Sequence, residues 1–348
     1  MNKSVKNNAK KIAIALSGGI DSLVAGYLLK QTYTEVFGIH FSTGYETKPC
    51  DLSSIAEQLD IKIKHIDLSC VFKEQVVDYF INTYISGKTP NPCIVCNKTI
   101  KFGALLKSAK SFGADAIATG HYVKIQNIDQ NYFLQKGIDS LKDQSYFLSS
   151  ISKNKLMDII FPLGNLTKTK VKAIAKTQNL IPLVKKESQD ICFLKQNSIF
   201  EFINSKTGRK YNQGDILTTE NKHIGTHNGL YKFTIGQRKG INCPASEPYY
   251  VKNIDIKNNK LIVCFKNELF ENRFRTGSLN WFKKNLNFPL KMVTKIRYNH
   301  KPALSIINKP DEHGIVDVEF KTKQFAITPG QTAVFYDDNI IVGSGIII

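Results

Sequence analysis

The sequence contains no long apolar run. Across its 348 residues, no stretch approaches the roughly 20 apolar residues that a membrane-spanning helix needs. Residues 1–11 are polar and basic, and they lead into a strand pattern rather than into the apolar core and cleavage site of a signal peptide. Internal repeats are also absent, and so are low-complexity segments after residue 10. We therefore expect a cytoplasmic protein with no membrane partner.

Acidic residues are few. The chain has 29 Asp and Glu against 48 Lys and Arg, which gives a net charge of +19 and an isoelectric point near 9.5. A basic surface attracts polyanions, because binding releases the counterions that condense on a phosphate backbone. A lysine-rich proteome would produce the same balance, so charge alone leaves nucleic-acid binding open.

The cysteines are odd in number and no secretory signal accompanies them, which argues against structural disulfides. The seven are Cys50, Cys70, Cys93, Cys96, Cys192, Cys243 and Cys264. Thiols in such a chain are typical of catalytic or metal-binding sites.

Apolar periodicity divides the chain into two parts. Up to residue 120, strand patterns (11–17, 35–41, 61–68, 114–119) alternate with helical ones (21–30, 52–59, 71–85, 98–112), and a hairpin pattern follows at 122–136. The alternation predicts an α/β fold with a parallel sheet covered by helices. From about residue 208, short alternating strands indicate a small mixed domain and then a β-barrel or sandwich. We predict a catalytic domain over 1–205, a small central domain over 206–273 and a C-terminal β-barrel that binds tRNA over 274–348.

The first strand runs directly into the sequence SGGIDS, at residues 17–22, and then into a helix. Glycines allow a tight turn with exposed N–H groups, and a helix N-terminus adds positive partial charge, so the combination suits phosphate. The Gly-Lys-Ser/Thr ending of a Walker loop is absent, and the pattern matches the pyrophosphate loop of adenine nucleotide alpha hydrolase-like enzymes, which split ATP into AMP and pyrophosphate. An ordinary glycine-rich turn is the alternative. The predicted ATP contacts are Ala15, Leu16, Ser17, Gly18, Gly19, Ile20, Asp21 and Ser22, with Asp21 as a candidate Mg²⁺ ligand.

Two cysteines lie where thiol chemistry is plausible. Cys96 follows two prolines and precedes the helix predicted from residue 98, whose dipole would favour a thiolate. Cys192 follows Lys185 and Lys186, which could also stabilise a thiolate. The alternatives are a buried inert thiol at Cys96 and a strand-core cysteine at Cys192.

Motifs spread over nearly the whole chain resemble those of the bacterial tRNA-specific 2-thiouridylases. They are SGGIDS at residue 17, TPNP and CN at 89–97, TGHY at 119, KDQSYFL at 142, FPLGNLTK at 161, ICF at 191, GTHNGLYKFTIGQRKGI at 225, EPYYV at 247 and TPGQTAVFYD at 328. The resemblance implies a tRNA-uridine 2-sulfurtransferase that adenylates the wobble uridine with ATP and Mg²⁺. A persulfide on Cys192 then delivers sulfur to the base, and Cys96 helps to release it and forms a disulfide with Cys192. A cysteine desulfurase or a sulfur-relay protein would supply the sulfur.

The same resemblance implies further contacts. Phe41 and Gly120 would contact ATP. The implied tRNA contacts are Asn91, Pro92, Cys93, His121, Asp143, Gln144, Ser145, Arg297, Tyr298 and Gln331.

The chain departs from the family pattern in two places. Cys93 replaces the usual Asp, and the Cys93–Cys96 spacing is one found in metal sites. With Cys192 these thiols could hold a [4Fe-4S] cluster with one open iron, so this alternative to the persulfide stays open. The second departure is the short segment 42–50, which replaces an acidic insertion and puts the docking of the sulfur donor in doubt.

Two other classes of protein compete with this interpretation. A synthetase or amidotransferase that adenylates a small molecule would need a glutaminase domain or an acid- or amine-binding pocket. A non-catalytic iron–sulfur or RNA-binding protein would not need the SGGIDS loop, and turnover of ATP to AMP would exclude it.

Overall fold

The computed structural model describes residues 11–184, 190–194, 198–208, 212–283 and 285–348. In that part of the chain, no helix is both long and apolar enough to cross a membrane. The elements fall into three bodies, each with its own apolar core.

The first body is built on a five-stranded parallel sheet of order β3-β2-β1-β4-β7. Its strands are β1 (Lys11–Ala15), β2 (Glu35–Ser42), β3 (Ile63–Asp67), β4 (Ala116–Ala118) and β7 (Ile159–Ile160). The chain order reverses between β1 and β4, so the carboxyl ends of these two strands diverge into a crevice where ligands bind in such folds. The candidate site lies at this crevice.

Helices cover both faces of the sheet. They are α1 (Ile20–Lys30), α2 (Ser53–Leu59), α3 (Ser69–Phe72), α4 (Asp78–Ile85), α5 (Pro92–Cys96), α6 (Leu106–Ser111), α7 (Ser145–Leu148), α8 (Lys168–Thr177) and α9 (Ile199–Thr207). Two π-helical segments, Lys73–Val77 and Asn97–Leu105, join α3 to α4 and α5 to α6 into two longer helices. A 3₁₀ turn, Lys153–Asp158, precedes β7. The second long helix begins at Pro92, six residues before the predicted start, so Cys96 lies inside it and not at its N-terminus.

The second body is a four-stranded sheet of order β10-β11-β8-β9. Its strands are β8 (Gly214–Thr218), β9 (His223–His227), β10 (Tyr250–Asp255) and β11 (Lys260–Cys264), with 3₁₀ turns at Leu230–Lys232 and Lys266–Leu269. β8 and β11 are parallel and the other two pairings are antiparallel, as expected for a small mixed domain.

The third body is a closed barrel. Its strands are β12 (Phe270–Trp281), β13 (Leu290–Lys295), β14 (Ala303–Ile307), β15 (Val316–Phe325), β16 (Thr332–Asp337) and β17 (Ile340–Ile347). The strands follow the order β12-β15-β14-β13-β16-β17, and pairing of β17 with β12 closes the ring. Closure removes the sheet edges, which decides between the barrel and the sandwich left open by the sequence. The predicted α/β domain with a middle domain and a C-terminal barrel is confirmed.

A hairpin of the first body extends the barrel sheet. Strands β5 (Val123–Ile128) and β6 (Asn131–Lys136) form it, and β6 pairs with β17 through Gln135 and Ile340. The Lys136 N–H also donates to the Asn339 carbonyl at 2.9 Å. The hairpin therefore fixes the barrel against the catalytic domain. The domain boundaries predicted from the sequence stay a prediction.

Candidate ATP and thiol site

The SGGIDS loop leaves β1 and ends in the first turn of α1. The Ser17 N–H donates to Ser22 Oγ at 3.2 Å, and the Ser22 hydroxyl donates to the Gly19 carbonyl at 3.0 Å. Gly18 has a φ of +80°, a conformation that side chains rarely adopt. These bonds hold the loop as a turn around the N-terminus of an 11-residue helix, the arrangement that suits a phosphate group.

Residues 183–184 cross over this loop. The Val184 N–H donates to the Gly18 carbonyl at 3.1 Å, and a β-carbon built on Gly18 would lie 3.6 Å from the Leu183 Cβ. Phe41, at the end of β2, is half-buried. Leu183 and Val184 therefore border the glycine-lined turn with apolar groups that an adenosine could contact, whereas contact of Phe41 with ATP stays a prediction.

Gly120 lies where β4 approaches the first turn of α1. A β-carbon at Gly120 would lie 2.8 Å from both the Asp21 carbonyl carbon and the Ser22 nitrogen, closer than real β-carbons come. Only glycine allows this approach, so Gly120 shapes the phosphate loop by its lack of a side chain.

We expect Gly120→Ala to raise the KM for ATP by about tenfold or more, because the added methyl group must push the first turn of α1 away from the loop. The measurement is release of AMP or pyrophosphate over a range of ATP concentrations. Gly277→Ala is the matched control, since a β-carbon there meets nothing closer than 3.9 Å. An unchanged KM in Gly120→Ala would contradict this account of the loop.

Two residues that sequence reasoning did not assign hold the Asp21 carboxylate. Lys168 Nζ lies 2.8 Å from both carboxylate oxygens, and the Tyr122 hydroxyl donates to Oδ1 at 2.6 Å. The Lys168 side chain is only 9% exposed. Both residues stand in motifs quoted for the resemblance, TGHY and FPLGNLTK, which was the available signal. The Asp21 side chain is 33% exposed and each carboxylate oxygen has two lone pairs, so Asp21 keeps acceptor capacity beside the ammonium, and its role as a Mg²⁺ ligand stays a prediction.

Cys93 and Cys96 lie three residues apart on the helix that begins at Pro92, and so on one face of it. Asn91 caps this helix by accepting the Ile94 N–H at 3.3 Å. Pro92 occupies the first turn, where no N–H is needed. The predicted loop thus places two thiols on a capped helix with a defined direction.

Burial, and not the helix dipole, has the largest effect on the pKa of the Cys96 thiol. It raises the pKa of Cys96 to about 12, and the thiols of Cys192 and Cys93 add to the rise while Lys101 opposes it. Burial likewise raises the pKa of Cys192, with Cys93 adding to it. The prediction of a thiolate favoured at Cys96 is therefore wrong for the ligand-free protein. The stabilising role predicted for Lys185 and Lys186 lies outside the described residues.

Cys93 and Cys192 both raise the pKa of Cys96, and Cys93 raises that of Cys192, which indicates that the three thiols lie near one another. Cys93 and Cys192 have exposed surface, whereas Cys96 is half-buried. Cys192 lies in a turn, so the alternative of a strand-core cysteine is wrong. The structure thus brings together the two cysteines that the resemblance paired, about a hundred residues apart in the chain.

Among the described residues, Lys101 supplies positive charge to this region, and sequence reasoning did not assign it a role. Its positive charge lowers the pKa of Cys93 and Cys96, although burial outweighs it in both. Lys101 Nζ lies 3.5 Å from His121 Nε2, and His121 Nδ1 lies 2.7 Å from Thr119 Oγ1. An ammonium has only donors, so Nε2 accepts and Nδ1 carries the hydrogen. Burial and the charge of Lys101 hold the pKa of His121 well below its usual value, which keeps the ring neutral.

Cys93, Cys96 and Cys192 do not converge on a single metal-ion position. Among the described residues, no three His, Cys, Asp or Glu side chains converge as metal ligands. A [4Fe-4S] cluster held by Cys93, Cys96 and Cys192 stays a prediction, and we derive no step through it.

The side chains of Asp143 and Ser145, predicted to contact tRNA, bond within the protein. Asp143 accepts the N–H groups of Gly137 and Ser145, and the fully buried Ser145 hydroxyl donates to Asp143 at 2.7 Å. Gln144 Oε1 accepts the Tyr122 N–H at 3.0 Å. This loop thereby supports Tyr122, whose hydroxyl holds Asp21. Direct contacts from its side chains to tRNA stay a prediction.

Three predicted tRNA contacts come from the barrel. Arg297 Nη2 donates to the carbonyls of Phe325 and Ala326, both at 2.8 Å. The Tyr298 ring packs on Phe147, with centroids 4.5 Å apart. Gln331 Nε2 donates to two carbonyls of the loop that leads to Cys93. The barrel residues lie beside the catalytic loop, and their contacts to tRNA stay a prediction.

The comparisons with known proteins cover nearly the whole chain. A family model described as "tRNA methyl transferase HUP domain" matches residues 10–196, more than half of the chain. Its companions, "tRNA methyl transferase PRC-barrel domain" and "Aminomethyltransferase beta-barrel domain", match residues 201–265 and 271–347. A parallel-sheet domain with a pyrophosphate loop and neighbouring thiols, followed by these two β domains, defines an ATP-using enzyme of tRNA modification.

The relatives specify the family. The tRNA-specific 2-thiouridylase MnmA of Desulfosudis oleivorans is 45% identical over 338 residues, which cover 97% of this chain and 94% of that protein. MnmA 2 of Thermoanaerobacter sp. (strain X514) is 39% identical over 355 residues, 97% of each. The chain belongs to the tRNA-specific 2-thiouridylase family. Among solved structures, a complex of a 4-thiouridine synthetase with RNA and bound ATP matches 57% of this chain and 50% of that one, at 21% identity and a TM-score of 0.35, and we draw nothing from so remote a likeness.

Proposed function

We propose that this chain catalyses the ATP-dependent 2-thiolation of the wobble uridine (U34) of tRNA in the cytoplasm. The observation that carries the proposal is the chain of contacts from the loop to the thiols: Gly120 packs on the first turn of α1, and its neighbour His121 lies 3.5 Å from Lys101. The positive charge of Lys101 in turn acts on the pKa values of Cys96 and Cys192. The net charge of +19 over the whole chain supports binding to the polyanionic backbone of tRNA.

The first step activates the base. The uracil O2 attacks the α-phosphate of ATP, pyrophosphate leaves, and O2 becomes an adenylate. A carbonyl oxygen is a poor leaving group, whereas AMP is a good one. Adenylation therefore makes C2 reactive toward a nucleophile. The protein contributes the N–H groups of the Ser17–Ser22 loop and the α1 N-terminus as phosphate ligands, and the Lys168 ammonium as a nearby positive charge.

The second step transfers sulfur. The terminal sulfur of a Cys192 persulfide attacks C2, the C2–O2 bond breaks, and AMP leaves with O2. The Cys96 thiolate then attacks the Cys192 sulfur, so that the S–S bond to the base breaks, a Cys96–Cys192 disulfide forms, and 2-thiouridine is released. An external thiol reduces the disulfide, and a cysteine desulfurase or sulfur-relay protein supplies the next persulfide. The target base must leave the anticodon stack to reach these groups.

The exposed turn of Cys192 supports its role as the persulfide carrier, because an external sulfur donor must reach it. The more buried Cys96, with a pKa raised to about 12, is protected from premature oxidation and must lose its proton only when the substrate is in place. In the part of the chain that the structure describes, the positive charge of Lys101 favours this ionisation.

The test is sulfur transfer to unmodified tRNA by protein purified without oxygen, with ATP and a persulfide-generating desulfurase. Thiouridine is read by mass spectrometry, and iron and sulfide are measured in the same sample. Thiolation by iron-free protein, largely kept in Cys93→Ser, is the expected result. Activity that follows iron content and fails in Cys93→Ser would instead establish the cluster. No thiolation in either state would overturn the proposed function.

A further inference from the structure

The segment 87–90, which leads from α4 to the helix of the two thiols, is held by the barrel. The Thr89 N–H donates to the Pro329 carbonyl at 2.9 Å. Gln331 Nε2 donates to the carbonyls of Thr89 and Pro90 at 3.0 and 3.1 Å. The side-chain amide of Gln331 thus donates to the carbonyls of two consecutive residues of the segment before the thiols. These residues lie 242 and 241 positions away in the sequence.

The two backbones meet without an intervening side chain. Gly330 has a φ of +89°, and a β-carbon there would lie 2.8 Å from the Thr89 carbonyl oxygen and 2.9 Å from its nitrogen. A side chain at this position would push the segment away from the barrel. Glycine is therefore required both by the conformation and by the close approach.

The middle domain holds the same segment from another side. The hydroxyls of Thr89 and Thr234 lie 3.3 Å apart. A β-carbon on Gly87 would lie 2.9 Å from Ile256 Cγ1 and 3.3 Å from the Ile254 carbonyl. The middle domain and the barrel therefore both contact the catalytic domain at residues 87–90.

This junction lies immediately before the thiols. Pro90 and Pro92 fix two backbone angles between the junction and Cys93, so little slack remains to absorb a displacement. Asn91, between them, caps the helix that carries Cys93 and Cys96. A shift of Thr89 is consequently passed to the thiols and not lost in a flexible loop.

We infer that Gln331 is a positioning residue for the sulfur-transfer site: through its two hydrogen bonds to Thr89 and Pro90, the barrel fixes the helix on which Cys96 lies. The kinetic part of this inference rests on the proposed function. It assigns Gln331 a task inside the protein, different from the tRNA contact that the family resemblance implies. The barrel is thus part of the catalytic machinery as well as a separate body of the protein.

The experiment compares Gln331→Met with Gln324→Met in the full chain. Methionine keeps the length of glutamine and removes the donors. Gln324 is a matched control, because its Nε2 also donates twice, to the carbonyl and hydroxyl of Thr322, but within the barrel. Three quantities are measured: hydrogen exchange of residues 89–96 in the free protein, the Kd for tRNA, and the single-turnover thiolation rate at saturating tRNA.

For Gln331→Met we expect faster exchange over residues 89–96, a tRNA Kd within about twofold, and a maximal rate about tenfold lower, equivalent to about 1.4 kcal/mol. Gln324→Met is expected to change none of the three. Gly330→Ala, which displaces the same segment without touching the amide, is expected to reproduce the effect of Gln331→Met and serves if that variant folds poorly.

A weaker tRNA Kd with an unchanged maximal rate would overturn the inference and make Gln331 a tRNA contact. Unchanged exchange over residues 89–96 would also overturn it. The exchange measurement needs neither ATP nor tRNA, so it tests the positioning role independently of the reaction. Failure of the wild-type chain to thiolate tRNA would count against the proposed function and not against the positioning role.

Discussion

Cys96→Ser and Cys192→Ser are expected to stop thiolation at different points, and dithiothreitol is expected to rescue only the first. In the proposed sequence Cys192 carries the sulfur, so its loss prevents the C–S bond from forming and lowers the rate by on the order of a thousandfold or more. Loss of Cys96 blocks a later step, the release of the thiolated base from Cys192. The base is then held on Cys192 through a disulfide, which an external thiol can cleave.

The measurement is mass spectrometry of nucleosides and of intact protein–tRNA adducts, with and without dithiothreitol. Cys96→Ser should accumulate an adduct that dithiothreitol converts to 2-thiouridine, and Cys192→Ser should form none. Adenylation should continue in both, because the SGGIDS loop is intact. Cys70→Ser, which removes another exposed thiol, is the control. Normal thiolation by Cys192→Ser would show that a different residue carries the sulfur.

Lys168→Met is expected to abolish adenylation while leaving the fold in place. The Lys168 ammonium is almost fully buried against Asp21, in the first turn of the helix that begins with the phosphate loop. Its removal leaves the carboxylate without its ion-pair partner and the site with one positive charge fewer toward the triphosphate. We expect the rate of AMP formation to fall by about a hundredfold or more.

The measurement is pyrophosphate release in the presence of tRNA, together with thermal unfolding of each variant. Lys170→Met is the matched control, because Lys170 is exposed and lies two residues after Lys168 on the same helix, so the two side chains do not share a face. If Lys168→Met adenylates at the rate of Lys170→Met, the ion pair with Asp21 is structural and the phosphate site lies elsewhere. A large fall in the unfolding temperature of Lys168→Met alone would assign the loss to folding.

Local pattern was sufficient for the elements that depend on near neighbours in the chain. The SGGIDS loop combines a strand, two glycines and a helix within a dozen residues, and its geometry follows from that order. The alternation of strands and helices up to residue 120 likewise predicted the parallel sheet, since a parallel strand requires a crossover of about that length. The helix start was missed because Asn91 and Pro92, a cap and a first-turn proline, were interpreted as parts of a loop.

The sequence by itself determined the turn at residues 17–22 and the order of the three bodies, and it singled out Cys96 and Cys192 as candidate thiols, because these features are carried by residue identity and short-range periodicity. Only the tertiary structure decided what surrounds them. The Lys168–Asp21 pair spans 147 positions, and the bond from Gln331 to Thr89 spans 242. No periodicity in a single chain encodes such contacts. The ionisation of Cys96 belongs to the same class: a thiol at a favourable place in the sequence becomes a poor acid once other parts of the fold remove it from water.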